Sequence, residues 1–191
     1  MILELKNINT FSNYISFFRI LLAIPIFYYV RNINEIEGAR YILLSLYGLA
    51  YFSDLSDGYF ARKLNQVSEL GKIIDPLADK VLVILIVSYL YYFEIIPSFY
   101  FWIIIFRDII IFSGGVLVSK NIGKVLPSNN LGKITVFSIG IFIIVVTIGY
   151  EKDSALFVLF LIGSMLLSFA SVVSYAIRGF AEVKKVRNET F

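Results

Sequence analysis

Apolar residues fall in six long blocks parted by short polar segments, over residues 14–30, 41–60, 73–96, 98–118, 134–150 and 155–177. Each approaches the ~20 mostly apolar residues that a helix needs to cross the hydrocarbon core of a bilayer. The pattern predicts an all-α integral membrane protein with six transmembrane helices. The third and fourth blocks are parted only by Pro97 and its neighbours. The residue before a proline is biased out of the helical region, so a tight turn is expected there. Ahead of the first block, Ile2, Leu5, Ile8 and Phe11 recur at helical spacing with Glu4, Lys6 and Asn7 among them. This predicts a short amphipathic helix lying on the membrane surface. The first block lacks a small-residue cleavage site and five others follow it, so it is expected to be retained and not removed as a signal peptide.

Basic residues orient the bundle. With the N-terminus inside, the cytoplasmic segments hold eleven: Lys6, Arg62, Lys63, Lys72, Lys120, Lys124, Lys133, Arg178, Lys184, Lys185 and Arg187. The outer loops hold three, Arg31, Arg40 and Lys152. Positive charge gathers on the cytoplasmic side of membrane proteins, so both termini are expected inside. No internal repeat or long linker interrupts the 191 residues, and a single membrane domain over 1–191 is expected. The chain is 59% hydrophobic against ~45–50% in soluble domains. It has no cysteine and no histidine, which excludes disulfides, Cys/His zinc sites, cysteine nucleophiles and histidine bases. A net charge of +3 gives no reason to expect a nucleic-acid partner.

The chemistry then rests on carboxylates, and four aspartates stand where a membrane protein ordinarily avoids them. The second and third blocks meet across a cytoplasmic connection. It reads Ser53-Asp54-Leu55-Ser56-Asp57-Gly58-Tyr59-Phe60-Ala61-Arg62, and further on Gly71-Lys72-Ile73-Ile74-Asp75-Pro76-Leu77-Ala78-Asp79-Lys80. Asp54 and Asp57 are three apart, Asp75 and Asp79 four apart, and such spacings put each pair on one helix face. An ionised aspartate deep in a bilayer costs about 2.5–3.5 kcal/mol, less near the headgroups. Two carboxylates ~4 Å apart repel by about 4 kcal/mol at an effective dielectric of 20. A single aspartate near a helix end reads as a cap or a surface charge, but four on two faces need compensation. Arg62, Lys72 and Lys80 are too few and too scattered to supply it. An all-carboxylate cage favours Mg²⁺, Mn²⁺ or Ca²⁺ over zinc or copper. Gly58, Ala61 and Gly71 lie at helical offsets from the aspartates and leave room for close approach by a ligand or a neighbouring helix. Arg62 can reach an anion at the same site.

The spacing Asp54-x2-Asp57-Gly58-x2-Ala61-Arg62-x8-Gly71-x3-Asp75-x3-Asp79 resembles, at every fixed position, the signature of the CDP-alcohol phosphatidyltransferase family. Asn13-Tyr14-Ile15-Ser16 followed by Arg19 and Pro25 is similar to that family's opening segment, so the likeness extends over nearly the whole chain. The resemblance implies transfer of a phosphatidyl group from CDP-diacylglycerol to an alcohol acceptor, with Mg²⁺ or Mn²⁺ and release of CMP. By residue match it implies that Asp54, Asp57, Asp75 and Asp79 hold the metal and that Asp79 also accepts the acceptor's proton. Asn13, Ser16, Gly58, Ala61, Arg62, Ser68 and Gly71 would then contact CDP. It further implies a homodimer in a bacterial cytoplasmic membrane, with the site facing the cytoplasm.

Within the family the acceptor varies. Arg107-Asp108-Ile109-Ile110 and Leu131-Gly132-Lys133 are similar to the branch that uses glycerol 3-phosphate, although Gly115 and Thr135 stand where that branch carries further basic residues. The expected acceptor contacts are Arg107, Lys120 and Lys133, with Lys124 beside them. Arg107, deep in the fourth block, either lines the acceptor pocket or pairs with a carboxylate such as Asp108 of another turn or subunit. The same arginine–aspartate pair is similar to cardiolipin synthases of the family, whose acceptor is phosphatidylglycerol. Inositol phosphate is the other acceptor to weigh. The sixth block reads as a plain lipid-facing or packing surface. A small cation transporter is the alternative class, since intramembrane carboxylates also mark ion pathways. Against it, the aspartates gather near one membrane face and residues 136–146 carry no ionisable side chain. A lipid-binding assembly protein would leave the spacing of the aspartates and glycines unexplained.

Overall fold

The computed structural model describes residues 17–63, 71–122 and 129–189, and the side chains of 17–53, 80–120, 122, 129–186 and 188. Every regular element among them is helical: α1 (Ala23–Arg31), α2 (Ala39–Lys63), α3 (Gly71–Tyr92), α4 (Ser98–Ile122), α5 (Asn130–Ile148) and α6 (Ala155–Glu189). Among the described residues α4, α5 and α6 are long and apolar enough to cross a membrane, and residues 80–92 of α3 form a shorter apolar helix. The expected amphipathic helix over the first eleven residues lies outside the described residues. Contacts divide the chain into two units, Met1–Ile95 and Ile96–Phe191.

In the first unit α1 packs on both α2 and α3. Leu22, Ala23, Ile26 and Val30 face Ala39, Leu43, Leu82, Ile86, Val87 and Leu90 as its buried core. The single block expected over 14–30 is broken at Leu22, between a helical turn over 17–21 and α1. Pro25 is the cause: it has no N–H for the carbonyl four residues back, and its ring crowds that carbonyl. The hydrogen bonds Leu22 N–H to Phe18 O (3.0 Å) and Ile26 N–H to Leu22 O (3.2 Å) carry the chain across the break.

α3 stops at Tyr92, four residues before the expected end at 96. Its terminus has the paired bonds of a Schellman motif, Glu94 N–H to Tyr91 O (3.0 Å) and Ile95 N–H to Leu90 O (2.9 Å). Glu94 takes the left-handed position there with φ +55°, where glycine is usual, so no glycine signals the end in the sequence.

In the second unit α6 is the element on which α4 and α5 both pack. Tyr100 meets Ser164 and Arg107 meets Ser171, both 64 residues apart, so α4 and α6 run parallel. Thr135 meets Leu167 and Asn129 meets Ser174, so α5 runs antiparallel to α6. Phe142 closes one end: its ring lies 4.5 Å from Tyr100 and 5.2 Å from Phe157, both edge-on. α5 begins where Asn129 caps it, its side-chain oxygen accepting the Gly132 N–H at 2.7 Å. It ends at Gly149, whose φ of +100° suits glycine. α6 starts beyond Ser154, whose hydroxyl accepts the Phe157 N–H, and continues past the apolar block to Glu189.

The sixth block is the expected packing surface, but it is not purely apolar. Ser164, Ser168 and Ser171 are fully buried, and with Ser174 they form a hydroxyl seam facing α4 and α5. Ser164 donates to Phe160 O (2.6 Å), so the Tyr100 hydroxyl is the donor in the 2.8 Å bond between them. Helix–helix hydrogen bonds in membrane proteins contribute ~0.6 kcal/mol on average and up to ~1.7 kcal/mol, whereas removing a buried phenylalanine costs about 3–5 kcal/mol in soluble cores. Tyr100→Phe keeps the ring contacts and should lower stability by roughly 0.6–1.7 kcal/mol, with Phe142→Ala clearly more damaging. Unfolding midpoints of the purified variants in one detergent check the order, and the reverse order would show that the seam, not the aromatic cluster, dominates.

Candidate active site

The four signature aspartates lie on described helices of the first unit, Asp54 and Asp57 in the last turns of α2 and Asp75 and Asp79 in the first turns of α3. With 3.6 residues per turn, each pair shares a helix face. Their side chains, like those of Gly58, Ala61, Arg62 and Gly71, lie outside the described set, and Asn13, Ser16, Ser68 and Lys124 lie outside the described residues altogether. Two further features stand on the same helices. Pro76, in the first turns of α3, has no N–H to donate to the carbonyl of Lys72. Ser53, one turn before Asp57, has a buried hydroxyl with no hydrogen-bond partner among the described residues. An oxygen-only donor set of this kind suits a hard divalent cation.

Arg19 is fully buried in the same unit. In the sequence it stands only as part of the opening segment. An arginine six residues into the first apolar block is the available signal, because an intramembrane charge is functional or paired by default.

In the second unit Arg107 is buried at mid-helix on α4. Its Nη1 donates to the carboxylate of Asp108 at 2.6 Å. Asp108, the carboxylate expected as its partner, is therefore the partner within this chain, as the next residue and not from another turn. Neighbours on a helix point to different faces, but the long arginine stem reaches around. Its Nε donates to the Ser171 hydroxyl at 3.3 Å, and Nη2 donates to Gly132 O at 3.4 Å. Arginine carries five N–H donors, so among the described residues these three contacts leave two without a partner. The Ser171 hydroxyl spends its own proton on Ser168 O (2.8 Å), which turns its lone pairs toward Arg107.

Gly132 links Arg107 to the start of α5. Asn129 accepts the Gly132 N–H and donates its amide to the Ser174 hydroxyl at 2.9 Å. Lys133, the next residue after Gly132, is exposed. Lys120 is also exposed and stands thirteen residues beyond Arg107 on α4, roughly 20 Å along the helix. The structure thus gathers Arg107, Asp108, Gly132 and Ser171 and leaves Lys120 at another level. Sequence reading missed Asn129, Ser171 and Ser174. Their signal was the recurrence of serine at helical offsets along the sixth block.

The two departures from the branch pattern have packing reasons. The Tyr175 hydroxyl sits 3.0 Å from where a side chain at Gly115 would begin. The Thr135 hydroxyl is fully buried between Leu131 O (2.8 Å) and Leu167 O (3.1 Å). A basic side chain at either place would displace a contact that joins α6 to its neighbour.

Comparison with known proteins agrees with the aspartate spacing. The model of the CDP-alcohol phosphatidyltransferase family matches residues 9–176. Over 180 residues the chain is 33% identical to the CDP-diacylglycerol--glycerol-3-phosphate 3-phosphatidyltransferase of Aquifex aeolicus (strain VF5), covering 91% of this chain and 97% of that protein. It is 43% identical over 89 residues to the protein of the same name from Bacillus subtilis (strain 168), covering 47% of this chain and 46% of that one. Over 116 residues it is 32% identical to a probable CMP-forming cardiolipin synthase of Drosophila melanogaster, covering 60% of this chain and 34% of the other. On a match that spans most of its length, this chain belongs to the CDP-alcohol phosphatidyltransferase family, membrane transferases of phospholipid biosynthesis.

Proposed function

We propose that the enzyme transfers the phosphatidyl group of CDP-diacylglycerol to glycerol 3-phosphate, releasing CMP, and that its 191 residues work as one membrane domain. The observation that carries this reading is the spacing of Asp54, Asp57, Asp75 and Asp79 on α2 and α3 in a chain of this family. Full-length similarity to a glycerol-3-phosphate transferase favours that acceptor. Phosphatidylglycerol is the second reading, favoured by the shorter likeness to cardiolipin synthases. The proposed setting is a bacterial cytoplasmic membrane crossed six times, with both termini and the site inside and two copies forming a dimer.

The family is generally dependent on a divalent metal. Here Asp54, Asp57, Asp75 and Asp79 would hold Mg²⁺ or Mn²⁺, which neutralises the pyrophosphate and the departing CMP when bound. Arg62 adds a fixed cation for the diphosphate, and Gly58, Ala61 and Gly71 let backbone approach it, with Asn13, Ser16 and Ser68 completing the CDP contacts. The acceptor hydroxyl forms a bond to the phosphatidyl phosphorus as the bond to the bridging oxygen breaks. CMP leaves with the electron pair, and Asp79 takes the hydroxyl proton. A carboxylate held tightly by a metal is a poor base, so in the proton-accepting role Asp79 would hold the metal loosely or share it. Arg107 and Lys133 bind the acceptor's phosphate, and Lys120 draws anions toward the cytoplasmic end of α4.

Purified protein supplied with CDP-diacylglycerol and Mg²⁺ or Mn²⁺ should release CMP on addition of glycerol 3-phosphate, lose this with chelator and regain it with metal. Inositol 1-phosphate, serine and phosphatidylglycerol run alongside decide the acceptor. Absence of metal-dependent CMP release with every acceptor would overturn the assignment. Asp79→Asn should lower kcat by about 10²–10⁴-fold, the usual contribution of a general base, while CDP-diacylglycerol binding persists. Undiminished turnover would remove Asp79 from the proton-accepting role.

A further inference from the structure

The contacts around Arg107 point beyond the residues that would touch the acceptor. Left to itself, a guanidinium on a long flexible stem has many orientations and loses about 2 kcal/mol of rotamer entropy when fixed. Here three directions are set. Asp108 holds Nη1, Gly132 O holds Nη2, and Ser171 holds Nε from α6. Ser171 is 1% exposed and its proton is committed to Ser168 O, so its hydroxyl can only accept toward Arg107. Gly132 is held in turn by Asn129, and Asn129 by Ser174 of α6. Two hydroxyls one turn apart on α6 therefore set both the direction of Arg107 and the start of α5, where Lys133 stands.

We propose that Ser171 and Asn129, the latter anchored by Ser174, are positioning residues for acceptor binding: they aim Arg107 and place Lys133 so that the two cations meet one phosphate group. This rests on the reading of Arg107 and Lys133 as phosphate contacts. It predicts selectivity for a phosphorylated acceptor without either residue touching it. None of the three residues contributes charge, so their effect is on geometry and enters through acceptor affinity.

The test is steady-state CMP release by the purified full chain in lipid nanodiscs, varying glycerol 3-phosphate and CDP-diacylglycerol separately, with an unfolding midpoint for each variant. Ser171→Ala should raise KM for glycerol 3-phosphate about tenfold, the size expected for one hydrogen bond to a charged group. KM for CDP-diacylglycerol should stay within about twofold, and Ser171→Thr, which keeps the hydroxyl, should recover most of the loss. Ser174 is half-buried, so Ser174→Ala is the milder variant. It should raise the same KM about threefold through Asn129, and it decides the matter if Ser171→Ala does not fold. Arg107→Lys separates the two levels of the argument. If it leaves KM for glycerol 3-phosphate unmoved, the reading of Arg107 fails. If it raises that KM while both serine variants leave it unmoved, positioning fails alone. A parallel rise in both KM values with a lowered midpoint would reduce the serines to structural roles and overturn the proposal.

Discussion

A polar group in hydrocarbon has no water to bond, so it must be satisfied inside the protein or it costs several kcal/mol. The second unit is organised around that constraint. Ser164, Ser168 and Ser171 each return their proton to a carbonyl of their own helix. Such back-bonding weakens or bends a helix slightly, but it leaves lone pairs facing outward on a small side chain. α6 can then approach its neighbours closely and still accept from Tyr100 and Arg107. The seam that holds the three helices together is also what makes a buried guanidinium tolerable.

Arg107 and Asp108 are nearly neutral as a pair, which lowers the cost of placing a charge at that depth. Pairing alone would leave most of the arginine's donors unmet. Ser171 and the Gly132 carbonyl answer two more, each from a different helix. The same side chain therefore ties α4 to α5 and α6, and its orientation depends on the packing of all three.

Much of this was legible in the sequence, and the residues show why the rest was not. The aspartates announced themselves because charge in an apolar setting is costly and their spacing matches helix periodicity. The apolar blocks located α4, α5 and α6 within a few residues at their starts. Helix ends set by backbone geometry were less visible: the break at Leu22 follows from Pro25, whose consequence falls three residues earlier, and α3 stops on Glu94 without the glycine that normally marks such an end. The hydroxyl seam was hidden because serine in an apolar helix is unremarkable one residue at a time. Its meaning lies in what α4 and α5 place opposite each hydroxyl, which a single sequence does not display.

The identity of residue 107 follows from counting donors. A lysine there would have three N–H groups around one nitrogen, and Asp108, Ser171 and Gly132 would claim all of them. Arginine has five in a rigid plane, so the protein can use three for orientation and keep two for a ligand. Among the described residues one N–H on each of Nη1 and Nη2 is left over, and charge-assisted bonds from a guanidinium suit an oxyanion. Under the proposed acceptor reading, the second unit therefore needs arginine at this place for two reasons at once. Its surplus of donors separates holding the side chain from holding the substrate, and a lysine of equal charge could not do both.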